Sequence, residues 1–205
     1  MKKARSKVLA GLLTLAVAIS FMPSTAFAAS KSMKAYDEVI KDGNTVYCCT
    51  YGGIYKVKLK NGRISSGKRL VQGGVTEHCY PTDMKKKGKY IYYMAYSDGN
   101  WSQLCRVKTS SGKIKSLADG MLTDYAISGS RIYYRYESDT GKVRSRVMTL
   151  SGKSKKKTST KAKTLKRHTN AKGYRVVQEE RGDYMYYWLK TPKGRDYIGR
   201  AALEE

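Results

Sequence analysis

The sequence predicts an all-β fold assembled from repeated antiparallel sheets. The motif x-Gly-x-x-(Val/Ile/Met)-Tyr-(Tyr/Cys) recurs four times, with Gly43, Gly88, Gly129 and Gly182 spaced 45, 41 and 53 residues apart. Eighteen Tyr stand against two Phe and two Trp. Tyr carries an apolar ring and a wet hydroxyl, which suits a half-buried strand. With three Pro and few long helical periods, β structure is the consistent reading.

The strands follow from the motif. Gly supplies the positive φ that a tight hairpin turn demands. In Val46-Tyr47-Cys48, Ile91-Tyr92-Tyr93, Ile132-Tyr133-Tyr134 and Met185-Tyr186-Tyr187, neighbouring side chains face opposite ways. A basic strand follows each copy: Ile54-Tyr55-Lys56-Val57-Lys58, Leu104-Cys105-Arg106-Val107-Lys108, Ser145-Arg146-Val147-Met148 and Ile198-Gly199-Arg200-Ala201. In the first three units a Gly-basic turn comes next, at Gly62-Arg63, Gly112-Lys113 and Gly152-Lys153. Each unit therefore reads as strand, Gly turn, aromatic strand, loop, basic strand, Gly turn, outer strand. Four short strands in about 40 residues are the signature of a propeller blade. The prediction is a β-propeller-like array of about four four-stranded units, approximately 36–74, 75–120, 121–170 and 171–205. The last is incomplete, because Leu203 to Glu205 leave no room for a fourth strand. Either the segment around Ser32 to Tyr36 closes the ring on the last unit, or the array stays open.

The run Gly-x-x-Ile-Tyr-Tyr … Leu-x-Arg-Val-x-x-x-x-Gly-Lys resembles the β-propeller-like repeats of secreted Gram-positive proteins, which are similar to the propeller of low-density-lipoprotein-receptor-related proteins. The resemblance covers roughly Tyr36 to Leu203. It implies a fold and a location rather than an activity. Choline- or wall-binding repeats also use Trp-Tyr-Tyr, but their period is about half of this one and their Gly-Trp elements are missing.

The N-terminus reads as a secretory signal over 1–28, leaving the repeat domain at 29–205. Lys2, Lys3, Arg5 and Lys7 form a positive n-region, Val8 to Phe21 an apolar run, and Ala26-Phe27-Ala28 a small-x-small cleavage site. The apolar run is shorter than the ~20 residues that span a bilayer. Removing those four of the 41 basic residues leaves 37 against 16 acids, a charge of +21. Outside the cell, such a charge turns from specific nucleic acid toward anionic envelope polymer, acidic polysaccharide or a peripheral membrane contact. The bland alternative is a solvated Lys surface that keeps strand edges apart.

The third spacing is longer because of a run from Ser151 to Asn170. It carries Lys153, Lys155, Lys156, Lys157, Lys161, Lys163, Lys166 and Arg167 with no acid. Such a stretch cannot bury enough apolar area to order itself well. It reads as a solvated loop extending an outer strand, or as an electrostatic anchor on phosphate-rich polymer. Lys85, Lys86 and Lys87, with Lys89, form a second basic cluster.

Catalytic and metal patterns are missing. His78 and His168 have no ligand at metal spacing, no Gly-x-Ser-x-Gly elbow occurs, and no cofactor fingerprint is present. Asp98-Gly99-Asn100 and Asp139-Thr140-Gly141 read as hairpin turns. Cys48, Cys49, Cys79 and Cys105 allow three pairings. Adjacent Cys48 and Cys49 point apart on a strand. A Cys79–Cys105 bridge is one reading, and buried free thiols are the other. The expectation is a secreted, non-catalytic binding module at the cell envelope, with exposed Tyr, Trp101 or Trp188 as stacking surfaces and the Lys/Arg surface as anion binder. The alternatives are a carbohydrate-active enzyme on a propeller scaffold, betrayed by inward carboxylates at one mouth, and a structural repeat that binds a partner protein.

Overall fold

Gly43, Gly88, Gly129 and Gly182 take φ values between 55° and 58° and close the hairpin that opens each unit. Such a φ is readily adopted only by Gly, so the repeat's most regular residue is fixed by backbone geometry. The computed structural model describes residues 38–73, 80–97, 101–162 and 171–203. The signal segment 1–28, the closing segment Ser32 to Tyr36, His78, Cys79, Asp98-Gly99-Asn100, Lys163, Lys166, Arg167 and His168 lie outside the described residues.

Among the described residues, fourteen strands form an all-β, β-propeller-like array. Unit I holds β1 (Glu38–Asp42), β2 (Thr45–Thr50), β3 (Gly53–Lys60) and β4 (Arg63–Gln72) in the order β1-β2-β3-β4. Unit II begins with β5 (Tyr80–Lys87), β6 (Tyr90–Tyr96) and β7 (Ser102–Lys108). Its outer strand is the first half of β8 (Ile114–Ser128), which pairs β7 from Ile114 to Gly120. The second half, from Met121 to Ser128, pairs β9 (Arg131–Glu137) as the inner strand of unit III. One strand thus serves two units and joins them in a single seven-stranded sheet. Buried Ser102 fastens the crossover: its Oγ accepts from Leu122 N at 2.9 Å and lies within 3.1 Å of the Gly120 and Leu122 carbonyls. Unit III continues with β10 (Val143–Thr149) and the short β11 (Lys156–Lys157), drawn from the lysine-rich run. Unit IV has three strands among the described residues: β12 (Arg175–Arg181), β13 (Tyr184–Thr191) and β14 (Gly194–Ala202).

Side-chain alternation gives each unit two faces, and in unit II both serve as seams. Tyr47, Cys49 and Ile54 of unit I meet Ile91, Tyr93 and Val107 of unit II in one core. Tyr92, Met94 and Leu104 on the opposite face of unit II meet Tyr125, Ile132 and Met148 of unit III in another. Burying such side chains stabilises by roughly 1.5–3 kcal/mol each. Lys56 Nζ donates to Thr109 O at 3.0 Å, and Lys68 Nζ to Ser110 O at 2.8 Å. One unit on, Arg106 donates to Leu150 O at 2.9 Å and Lys115 to Ser151 O at 3.3 Å. The basic and outer strands of units I and II therefore tie each of them to the Gly-Lys turn of its successor.

The register corrects the sequence alignment of unit III by one residue. Ile91 opposes Val107 and Ile132 opposes Met148. Val147, and not Arg146, therefore holds the place of Arg106.

Unit IV breaks the pattern. It packs on unit I with the same face that unit II turns toward its predecessor, and it does so in reverse. Gly62, at the end of β3, meets Lys193 before β14, whereas Gly52, before β3, meets Ala201 near the end of β14. The third strands of units I and IV run antiparallel. The inner strands of units I and II run parallel, with Glu38 beside Met84 and Asp42 beside Lys86.

Candidate functional site

Reversed docking leaves the other face of unit IV outward. Register places Arg175, Val177, Glu179 and Arg181 of β12 on this face beside Lys190, Trp188, Tyr186 and Tyr184 of β13. Arg195, Tyr197 and Arg200 of β14 complete it, with a bulge after Tyr187. The face carries five cations (Arg175, Arg181, Lys190, Arg195 and Arg200) and one carboxylate, Glu179.

The rings and guanidinium groups are layered. Arg195 lies over the Trp188 ring at 3.9 Å, and Arg181 lies 5.3 Å from it. Arg200 stacks on Tyr184 at 4.3 Å and donates to Tyr186 OH at 3.3 Å. Such stacking holds a guanidinium in place while leaving edge donors available. Glu179 accepts from both Arg181, at 2.9 Å, and Arg195, at 2.8 Å, which holds its carboxyl below the usual range. Tyr197 is the most open ring of this face, 52% exposed, with Trp188 and Tyr186 each 6.2 Å away. Tyr197 and Arg200 also line a groove of about 430 Å³ between units I and IV, with Lys68 and Arg69 on its far wall. Trp188 thus has one face occupied by Arg195. The open stacking surface is Tyr197, which the sequence does not single out among eighteen Tyr.

The lysine-rich run places Lys153, Lys155, Lys156, Lys157 and Lys161 on the exposed edge of unit III. The second cluster is split. Lys87 and Lys89 are exposed, and Lys86 pairs with Asp42 at 2.8 Å. Lys85 is a correction to the expected anion-binding set. It is buried, bridged to Asp83, and its Nζ sits 3.9 Å from the Tyr125 ring centre. A bulge between Thr82 and Lys85 turns it inward. Cys48, Cys49 and Cys105 are all buried. Cys49 Sγ donates to Pro81 O at 3.2 Å, and Cys105 lies 3.8 Å from Gln103 Oε1. Trp101, at the head of β7, is 48% exposed.

Carboxylates also gather on inner strands. Glu38 of β1 accepts from the Met84 amide beside Asp83 and Lys85 of β5. Burial pushes the Glu38 carboxyl up to about 7. Tyr125 OH donates to Asp83 O at 2.6 Å, and burial raises that phenol well above its usual value. Asp83 itself takes φ 51°. Among the described residues, no three His, Cys, Asp or Glu side chains gather as a metal site.

No protein-family profile and no curated protein matches the sequence. Solved structures similar to it include a prolyl endopeptidase, at 12% identity over 97% of this chain and 35% of that one, with a TM-score of 0.40. The tricorn protease is similar at 10% identity over 82% of this chain and 26% of that one, with a TM-score of 0.34. The WD40 domain of SCAP from fission yeast is similar at 9% identity over 80% and 41%, with a TM-score of 0.34. The chain spans about a third or less of the two peptidases.

Proposed function

We propose that this chain is a secreted, non-catalytic binding module that works at the cell envelope and holds an acidic carbohydrate or other wall polyanion on the open face of unit IV. One observation carries the reading: five cations against one carboxylate, layered with Tyr184, Tyr186, Trp188 and Tyr197 on a single sheet face. Guanidinium forks suit carboxylate, sulfate and phosphate groups, and an open ring beside them suits a sugar's apolar side. The signal-like segment 1–28 and the resemblance to secreted Gram-positive repeats support the location.

Retention of the mature protein on purified acidic wall polymer tests the reading. Binding is expected to be released by about 0.5 M salt through screening, and to fall at least tenfold in an Arg195→Gln/Arg200→Gln double variant. Retention that ignores both salt and the double variant overturns it. The Glu38–Asp83 pair on inner strands favours one second reading, a carbohydrate-active enzyme with Glu38 as proton donor. Release of reducing ends from wall glycan, lost in Glu38→Gln, would establish that reading instead.

A further inference from the structure

A second basic surface lies between units II and III, away from the unit IV face. Two equivalent hairpin turns stand side by side there: Lys87-Gly88-Lys89 of unit II and Gly129-Ser130-Arg131 of unit III. With Tyr90, Arg106 and the Leu150-Ser151 turn they line a groove of about 610 Å³. Lys87, Lys89, Arg106 and Arg131 bring four cations to its lining, and no carboxylate lines it. Arg106 is held over the Tyr90 ring at 4.3 Å, with one amino group on Leu150 O at 2.9 Å. A guanidinium has five N–H donors, so this fixed fork has donors to spare.

The seam between units I and II shows what the same position requires. There Asp42, the residue before the turn glycine, pairs with Lys86 of the next unit at 2.8 Å. That seam supplies its own anion. In unit II the residue before the turn glycine is Lys87. The seam between units II and III thus puts a cation where its neighbour has a carboxylate, with Arg131 on the facing turn. Like charges brought together in this way repel unless an anion joins them. Ser130, Thr149 and Ser151 add hydroxyl groups to the lining.

We propose that this groove is a phosphate-binding subsite, which takes either a phosphate monoester or one phosphodiester unit of a polymer. Several cations and hydroxyls converging from two turns and a strand suit a tetrahedral anion with several acceptor oxygens. The subsite rests on its own residues and not on the unit IV face.

Amide chemical shifts of the mature chain, followed during titration, test it. Glycerol phosphate and poly(glycerol phosphate) are the two probes, and glycerol is the uncharged control. Saturable movement of the Gly88, Lys89, Ser130 and Ser151 amides is expected with both phosphates and not with glycerol. Arg131→Gln and Lys89→Gln, both on exposed turns, are each expected to weaken binding about tenfold. Tighter binding of the polymer per phosphate marks a phosphodiester ligand, and equal binding marks a monoester. Movement that never saturates, that spreads over the lysine-rich run, or that persists in Arg131→Gln overturns the proposal. The unit IV reading stands or falls separately, on its double variant.

Discussion

Unit I buries both of its faces, by different means. Toward unit II it presents Tyr47, Cys49 and Ile54 to a shared apolar core, in parallel register, and Lys56 and Lys68 hold the successor's turn carbonyls. Toward unit IV it meets the partner in reverse, through glycines and rings. The Tyr55 ring lies against Gly199, and the Tyr187 ring against Gly52. Arg63 clasps Asp196 through Nε at 2.9 and 3.0 Å, and Thr191 Oγ1 donates to Gly62 O at 2.9 Å. The first seam repeats between units II and III. The second occurs once, and it turns a repeat face outward in unit IV. An array that kept one sense of rotation would have set Tyr186 against a neighbouring unit as it sets Tyr92. The reversal is what makes unit IV a surface.

The largest expected effect separates the seams by pH. Glu38 sits at the seam of units I and II with its carboxyl raised from 4.5 to about 7 by burial, beside Asp83 and Lys85. The folded protein holds this proton where the unfolded chain releases it. Stability is therefore fully present below about 4.5, falls as pH rises toward 7, and stays reduced above it. The interval corresponds to roughly 3 kcal/mol. Urea unfolding of Glu38→Gln should lose this slope and gain up to about that amount at pH 8, with no gain at pH 4. A wild-type stability flat between pH 4 and pH 8 would show that Glu38 is solvated and that the seam lacks a buried acid.

The second effect is steric and belongs to unit IV. A side chain at Gly199 would run into the Tyr55 ring well inside contact distance. Gly199→Val should therefore destabilise by about 1–3 kcal/mol, the usual cost of overpacking. Hydrogen exchange should place the loss in β12, β13 and β14, while Ile91, Tyr92 and Val107 keep their protection. Equal loss of protection in unit II would mean that the two seams unfold as one.

The repeat unit is legible in the sequence because its determinants are local. Turn glycines, alternating Tyr and a basic strand lie within one hairpin's reach, and the structure gives each the expected strand. The seams are less legible. Lys56 reaches Thr109, and Arg106 reaches Leu150. Nothing near either cation in the chain marks a carbonyl so far along. Part of the large positive charge thus serves the array itself, which composition alone cannot separate from charge offered to a ligand. Lys85 shows the same limit: in Lys85-Lys86-Lys87 only the bulge at Asp83 decides that the first turns inward. The direction of unit IV is least legible. Met185-Tyr186-Tyr187 has the same pattern as Ile91-Tyr92-Tyr93, and either ring could face the predecessor. A sequence signal does exist after the fact. Gly199 and Gly52 are small where the facing unit supplies a ring, so small residues on or beside a basic strand mark a close seam.

The smallest effect tests whether polar clasps or glycine–ring packing hold unit IV. The Arg63 hydrogen bonds, aided by the Ile64 amide, hold the Asp196 carboxyl below its usual range. A depressed carboxyl contributes stability above its unfolded value and loses it as pH falls through the folded one. Arg63 is well exposed, 56% by side chain, and exposed ion pairs are weak and screened. Arg63→Ala should therefore lower the unfolding midpoint slightly at pH 7 in low salt. The difference should shrink in 1 M salt, where the screening length is about 3 Å, and again in acid, once Asp196 is protonated. A loss as large as that of Gly199→Val, unchanged by salt, would assign the reversed docking to the Arg63–Asp196 clasp. A small, salt-sensitive loss assigns it to the fit of Tyr55 and Tyr187 over glycine, and with it the exposure of the aromatic–arginine face.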